Sequence, residues 1–331
     1  VHRHMHRLVL DHVGQQIDLS NALQRVAFSV ITEVVFGREH TEVCDPLFDA
    51  SETLQYAGVA KMSSFVPIPY FVPTPTNRRI LRAVRQFEAL VSQRLAEWRG
   101  ADQPQTYDLI GTLLEERDEA GVALTDREIR DEAITMIFGG KETAGFSLTW
   151  TGYLLAQHPE IQDRCFEEAT AVLGDRPAGP EDLPQLKYLD MVCKEAMRLY
   201  PPAYMMCRQA TEATQVGEFQ IPKGSMVLLI PYAMHRDERW FERPDEFCPE
   251  RFAHGARDIP KFAYFPFGGG RRVCVGGRLA MLESVLTVAD LVTRCRLSLC
   301  RRSLGPTWPC IRKVRCWWTS SLASVDVPRQ R

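Results

Sequence analysis

The sequence has no run of eighteen apolar residues, so nothing in it reads as a membrane-spanning helix. No secretory leader opens it. There is no CxxC pair, which removes the usual zinc and iron–sulfur patterns. Neither GxGxxG nor GxxxxGK occurs, so no dinucleotide fold and no phosphate loop is expected. An excess of charge is lacking too: 40 Lys and Arg against 42 Asp and Glu leave −2, which argues against nucleic acid as the main partner. The ten cysteines are irregularly spaced and suggest no disulfide framework, so a reducing, cytoplasmic compartment is expected. Val1, rather than Met, leads at once into a helix-like run, and an N-terminal part is expected to be missing.

What is present is organised around Cys274, in the run Phe267-Gly268-Gly269-Gly270-Arg271-Arg272-Val273-Cys274-Val275-Gly276. Three consecutive glycines describe a tight loop that a flat or bulky group can approach closely. Leu279, Leu282, Leu286 and Ala289 follow at helical spacing, so Cys274 is expected where the glycine loop turns into the first turn of a helix. Unpaired N–H groups there, with Arg271, Arg272 and Arg278 nearby, favour a thiolate. A zinc site would need further cysteines close by, and a nucleophile would need a base, with no His close in sequence. A buried structural cysteine is the plain alternative. A single thiolate ligand to haem iron fits every feature.

Upstream, residues 20–36 carry a stripe of period 3.6 that stops at Gly37. A helix from Pro46 to about Met62 and another from Asn77 to near Gly100 are expected. Between them, prolines exclude helix from Phe65 to Pro73. That stretch reads either as a buried loop with fixed turns, or as a mobile apolar lid or a patch touching membrane. Thr125 to Glu128 form a capping box that opens a long helix to about Gln157. Its apolar residues lie all round, which predicts a buried central helix. Its middle, Gly139-Gly140-Lys141-Glu142-Thr143-Ala144-Gly145, suggests either close helix packing or a locally opened helix with a hydroxyl and a carboxylate facing a cofactor. Further helices are expected from near Pro159 to Gly174 and from about Tyr188 to Tyr200. A turn over 220–224 and a short strand over 225–230 make the main β signal.

The pattern Phe267, Gly270, Arg272, Cys274, Gly276, Ala280 and Glu283 resembles the haem-binding signature of the cytochrome P450 family. The segment around Thr143 resembles that family's oxygen-activating segment, with Ala144 where a second threonine is common. Glu195 with Arg198, and Pro249-Glu250-Arg251-Phe252, resemble its ExxR and PERF elements. The resemblance covers about residues 1–294. It implies a mainly α fold with a small β-sheet, incomplete at the N-terminus. The cofactor would be haem b with Cys274 as axial ligand. Arg208 and Arg272 would bind its propionates, with Phe267, Gly270 and Gly276 shaping the loop. Glu195, Arg198 and Arg251 would form a buried charge triad that locks this loop. Thr143 would hydrogen-bond the oxygen being activated, and Glu142 with water would relay protons. Phe138, Tyr204, Met205 and Met206 would line the substrate pocket. His235 reads as structural.

The function so implied is a monooxygenase that inserts one oxygen atom of O₂ into an apolar small molecule. Electrons would come from a separate reductase or ferredoxin, docked on Lys261, Arg271 and Arg278. The rival readings are an inactive fragment that holds haem weakly or not at all, and a peroxide-driven oxygenase. After Cys295 the composition changes, with tryptophans, cysteines and the single acid Asp326. No strand period or hairpin is evident there, and residues 295–331 read as a disordered basic tail or as out of frame.

Overall fold

The computed structural model describes residues 3, 5, 16–37, 44–62, 68–100, 108–254, 256–299 and 314–318. In chain order the elements are β1 (Gln16–Ile17), α1 (Leu19–Phe36), α2 (Cys44–Met62), α3 (Pro75–Gly100), α4 (Leu109–Glu115), α5 (Asp126–Gln157), α6 (Pro159–Leu173), α7 (Lys187–Leu199), β2 (Met206–Gln209), β3 (Thr214–Val216), β4 (Phe219–Ile221), β5 (Met226–Leu229), α8 (Pro231–Met234), α9 (Gly277–Arg294), β6 (Cys295–Leu299) and β7 (Val314–Trp318). The fold is mainly helical, as the periodicity predicts. The chain divides into two compact units, Gln24–Glu142 and Val1–Leu23 with Thr143–Arg331.

In the unit Gln24–Glu142, the apolar stripe of α1 buries Val26, Ile31 and Val35. Phe28 meets Phe48 of α2 edge to face at 5.5 Å. Asp108 caps α4 by accepting from the Gly111 N–H at 2.7 Å, and also accepts from Arg94 Nη2 at 2.6 Å. The described end of the loop before α3, residues 68–74, is turned by Asn77, whose side chain donates to the carbonyls of Pro69 and Val72, both at 2.8 Å. It is exposed rather than buried, with Phe71 at its tip. Residues 63–67 of that stretch lie outside the described ones.

In the other unit, α7 packs on α6 and α9. Two antiparallel ladders, β2 with β5 and β3 with β4, take up residues 206–229. The turn predicted over 220–224 is shorter, because Gln220 and Ile221 pair in β4; it closes with Ser225 N–H on the Pro222 carbonyl at 3.2 Å. β6 starts directly where α9 ends and pairs with β7, which also pairs with β1. Within the stretch after Cys295 that reads as lacking a strand period, these described residues pair as strands. Cys295 and Leu297 of β6 are buried. Gln162 of α6 fixes Leu297, accepting from its N–H at 2.6 Å and donating to its carbonyl at 3.1 Å. The alternation was hard to see because Arg296 and Ser298 interrupt only one short strand, and its partner β7 lies far downstream. Residues 300–313 and 319–331 lie outside the described ones.

Candidate functional site

Cys274 ends a loop built by its own backbone. The Gly268 N–H donates to the Phe265 carbonyl at 3.0 Å, Val273 N–H to Gly270 at 3.1 Å, and Cys274 N–H to Phe267 at 2.9 Å. Gly268 and Gly270 have φ of +73° and +66°, in the left-handed region where a side chain is strained. Gly268 also lies against Met206 of β2: a Cβ there would meet its sulfur at 3.5 Å. A Cβ at Gly276 would lie 3.9 Å from Cys274 Sγ, and one at Gly277 would press on the Phe267 ring at 3.4 Å. Cys274 stands three residues ahead of α9, at the junction of loop and helix, with Val275 and Gly276 forming the turn before the helix begins. The thiol is exposed.

The scaffold behind this loop is dense with buried charge. Glu195 and Arg198 of α7 have fully buried side chains and pair through Nε–Oε2 at 2.8 Å and Nη2–Oε1 at 2.9 Å. Arg251 Nε reaches Glu195 Oε1 at 3.3 Å, and the Cys248 N–H donates to the same oxygen at 2.9 Å. Arg198 spends its remaining donors on the carbonyls of His235, Pro244 and Glu246, at 2.8, 2.7 and 3.0 Å. The three expected residues therefore meet, and they staple α7 to the segment 235–251 rather than to the cysteine loop itself.

His235, read from the sequence as structural, makes the remaining link. Its ring is fully buried, and its Nε2 accepts from the Phe265 N–H at 2.9 Å, where the loop begins. Burial pushes the imidazole down to about 4, so at neutral pH it is the uncharged acceptor this bond requires. A continuous path thus runs from Glu195 through Arg198, His235 and Phe265 to the loop. No spacing rule could pair His235 with these partners, which lie 37 residues before it and 30 residues after it.

The centre of α5 is unbroken α-helix, so the locally opened helix is not what forms. It is also not buried on every side: Glu132, Thr135, Gly139 and Thr143 are exposed, at spacings of three and four. That polar and small stripe was present in the sequence but hidden by the apolar residues around it. Gly140 packs closely, since a Cβ there would come within 2.6 Å of Ile31. Lys141 is buried, paired with Glu52 of α2, and lies over the Phe48 ring at 4.5 Å. The Glu142 carboxylate accepts from Gln55 Nε2 at 2.6 Å. Glu52 and Gln55 are therefore site neighbours the sequence did not announce, although their spacing of three puts them on one face of α2.

Arg272 is exposed and has no side-chain partner among the described residues; Arg208 is exposed and donates to the Cys207 carbonyl at 2.8 Å. Tyr204 and Met205 are exposed, Met206 is half-buried, and Phe138 packs on Phe87 with ring centroids 5.5 Å apart. Among the described residues no group of three or more His, Cys, Asp or Glu side chains could hold a metal ion. The haem expected from the sequence fits what is there: an exposed thiol, open space over Gly270, and two exposed guanidinium groups for carboxylates. Among the described residues no helix is long and apolar enough to cross a membrane.

Comparison with known proteins follows the same line. The chain is 35% identical over 228 residues to cyclooctatin synthase of Streptomyces melanosporofaciens, covering 68% of this chain and 50% of that protein. It is 33% identical over 292 residues to cyclooctat-9-en-7-ol 5-monooxygenase of the same organism, covering 86% and 62%. The chain thus spans between half and two thirds of the length of these relatives. The structure of retinoic acid-bound cyanobacterial CYP120A1 superposes with a TM-score of 0.82 at 27% identity, over 95% of this chain and 72% of that one. The family model for cytochrome P450 matches residues 1–309, beyond the 294 residues over which the sequence motifs were traced. With that match and these loop and scaffold geometries, the chain belongs to the cytochrome P450 family.

Proposed function

We propose that this chain is the oxygen-inserting part of a haem-thiolate monooxygenase acting on an apolar organic substrate. The observation that carries the reading is an exposed thiol on a glycine loop held from behind by buried charge. Haem b ligated by the Cys274 thiolate supplies the oxygen-activating chemistry when bound. Every other task falls to side chains. Arg208 and Arg272 neutralise carboxylates of the cofactor. Phe267, Gly270 and Gly276 leave room for its approach. Thr143 offers a hydroxyl proton from the exposed stripe of α5, and Glu142, held by Gln55, exchanges protons with water. Tyr204, Met205, Met206 and Phe138 give apolar contacts to substrate. The relative named for cyclooctat-9-en-7-ol and the structure named for retinoic acid suggest a largely hydrocarbon skeleton. Electrons come from a separate donor protein that docks on the exposed Lys261, Arg271 and Arg278.

The test is the reduced, carbon monoxide-treated absorption spectrum of the haem-loaded protein. A thiolate-type band lost in Cys274→Ser is expected; a histidine-type band, or one unchanged in Cys274→Ser, would refute the ligand. Thr143→Ala should then consume reductant while releasing more hydrogen peroxide per product. Turnover with hydrogen peroxide alone, and none with reductant and donor protein, would favour a peroxide-driven oxygenase instead.

A further inference from the structure

A cavity of about 750 Å³ lies between α7 and α9, on the side of the cysteine loop marked by the Phe267 ring. It shares no residue with Thr143, Tyr204, Met205 or Met206. Its floor is apolar: Met191 from α7, Met281 and Leu282 from α9, and Phe267. Methionine side chains adapt to ligands of irregular shape. Its rim carries three cations, Lys187, Lys194 and Arg278, against one carboxylate, Asp190.

That carboxylate is already used. Lys194 Nζ holds Asp190 Oδ2 at 2.5 Å across one turn of α7. Lys187 and Arg278 are exposed and have no side-chain partner among the described residues. The rim therefore presents uncompensated positive charge above a hydrocarbon floor. The concavity falls within the range of about 300–1,000 Å³ typical of small-molecule sites, and a flat protein face would not fill it.

We propose that this groove is a second small-molecule site, which binds a free medium-chain carboxylate, with the chain on Met281, Leu282 and Phe267 and the anion between Lys187 and Arg278. It needs neither haem nor oxygenase substrate to bind, and it shares only Phe267 with the loop assigned to haem above. Arg278 also belongs to the donor-docking surface proposed above, and the experiment therefore contains no donor protein in its main arm.

The experiment is calorimetric titration of the 331-residue chain with sodium dodecanoate below its micelle concentration. The expected result is saturable binding of one molecule per chain. Dodecan-1-ol, with the same chain and no charge, should bind at least about tenfold more weakly, and so should dodecanoate to the double variant Lys187→Glu, Arg278→Glu. Both positions are exposed, and an unchanged circular dichroism spectrum checks the fold. Met281→Trp, which fills the groove and leaves the rim charges alone, should also abolish binding. Equal affinity for the alcohol, undiminished dodecanoate binding in the charge-reversed or the filled variant, or no saturable binding would overturn the proposal. So would capture of an acidic electron-transfer protein through Lys187 and Arg278 without any dodecanoate binding, which would assign the groove to a protein partner.

Discussion

Glu195 and Arg198 are wholly buried and have their polar atoms matched by one another, by Arg251 and by backbone groups. Cys274, twenty-three residues beyond Arg251, stands in solvent with Val275 beside it 84% exposed. The two regions lie in the same unit and answer to opposite requirements. A charge pair out of water persists only when its partners are complete, so that region is over-determined. The loop at Cys274 is shaped instead by backbone turns and positive-φ glycines, and it leaves the thiol without a cover. The comparison teaches that one stretch of the unit is held by completed buried charges and the other by backbone turns alone.

The sharpest way to break this contrast is Glu195→Ala. Arg198 would then be buried without its carboxylate, and a loss of about 3–5 kcal/mol in denaturant unfolding is expected. A loss under about 1 kcal/mol would show that the staple carries no such charge cost.

Glu283 of α9 extends the comparison to a buried carboxylate whose Oε1 has no partner. Burial pushes its pKa up to about 8. The unfolded group titrates at the ordinary carboxylate value, so stability is greatest below that value and declines as pH rises toward 8. Glu283→Gln should flatten this decline and raise stability at pH 8 by an amount on the order of a few kcal/mol, with little gain at pH 4. Chemical denaturation at both pH values measures it. An unaltered slope would mean that Glu283 ionises freely in the folded chain.

His235 works in the opposite direction. Its folded pKa lies near 4, below the ordinary imidazole value of 6.5. Its contribution is present above that ordinary value and is lost as pH falls toward 4, when the ring must protonate and give up the Phe265 N–H. His235→Ala should cost about 1–3 kcal/mol by leaving that donor unsatisfied, and should speed alkylation of Cys274 as the loop loosens. An unchanged alkylation rate would separate His235 from the loop.

The smallest effect is expected at the reactive residue itself. Cys274→Ser should change unfolding free energy by no more than about 0.5 kcal/mol, since the side chain is exposed and no neighbour depends on it. A larger loss would end the division of labour between loop and scaffold.

The sequence by itself determined the helices, the cap at Thr125, the glycine loop and the residue types that meet there. These follow from local rules: a period of 3.6, a side chain that reaches its own backbone three residues on, and backbone angles that favour glycine. The Thr125 cap is there as read, with its N–H donating to Glu128 at 2.8 Å and its hydroxyl accepting from the Glu128 N–H at 3.3 Å. Tertiary structure alone decided which side of α5 stays exposed, that Lys141 and Glu142 are held by Glu52 and Gln55, that His235 ties the charge staple to the loop, and that β6 pairs with a strand from the composition-shifted tail. Each of these depends on partners 15 to 90 residues away in the chain, as with Lys141 and Glu52, which are 89 apart. Contacts at that separation arise from packing and burial of the whole unit, which no local window of sequence contains.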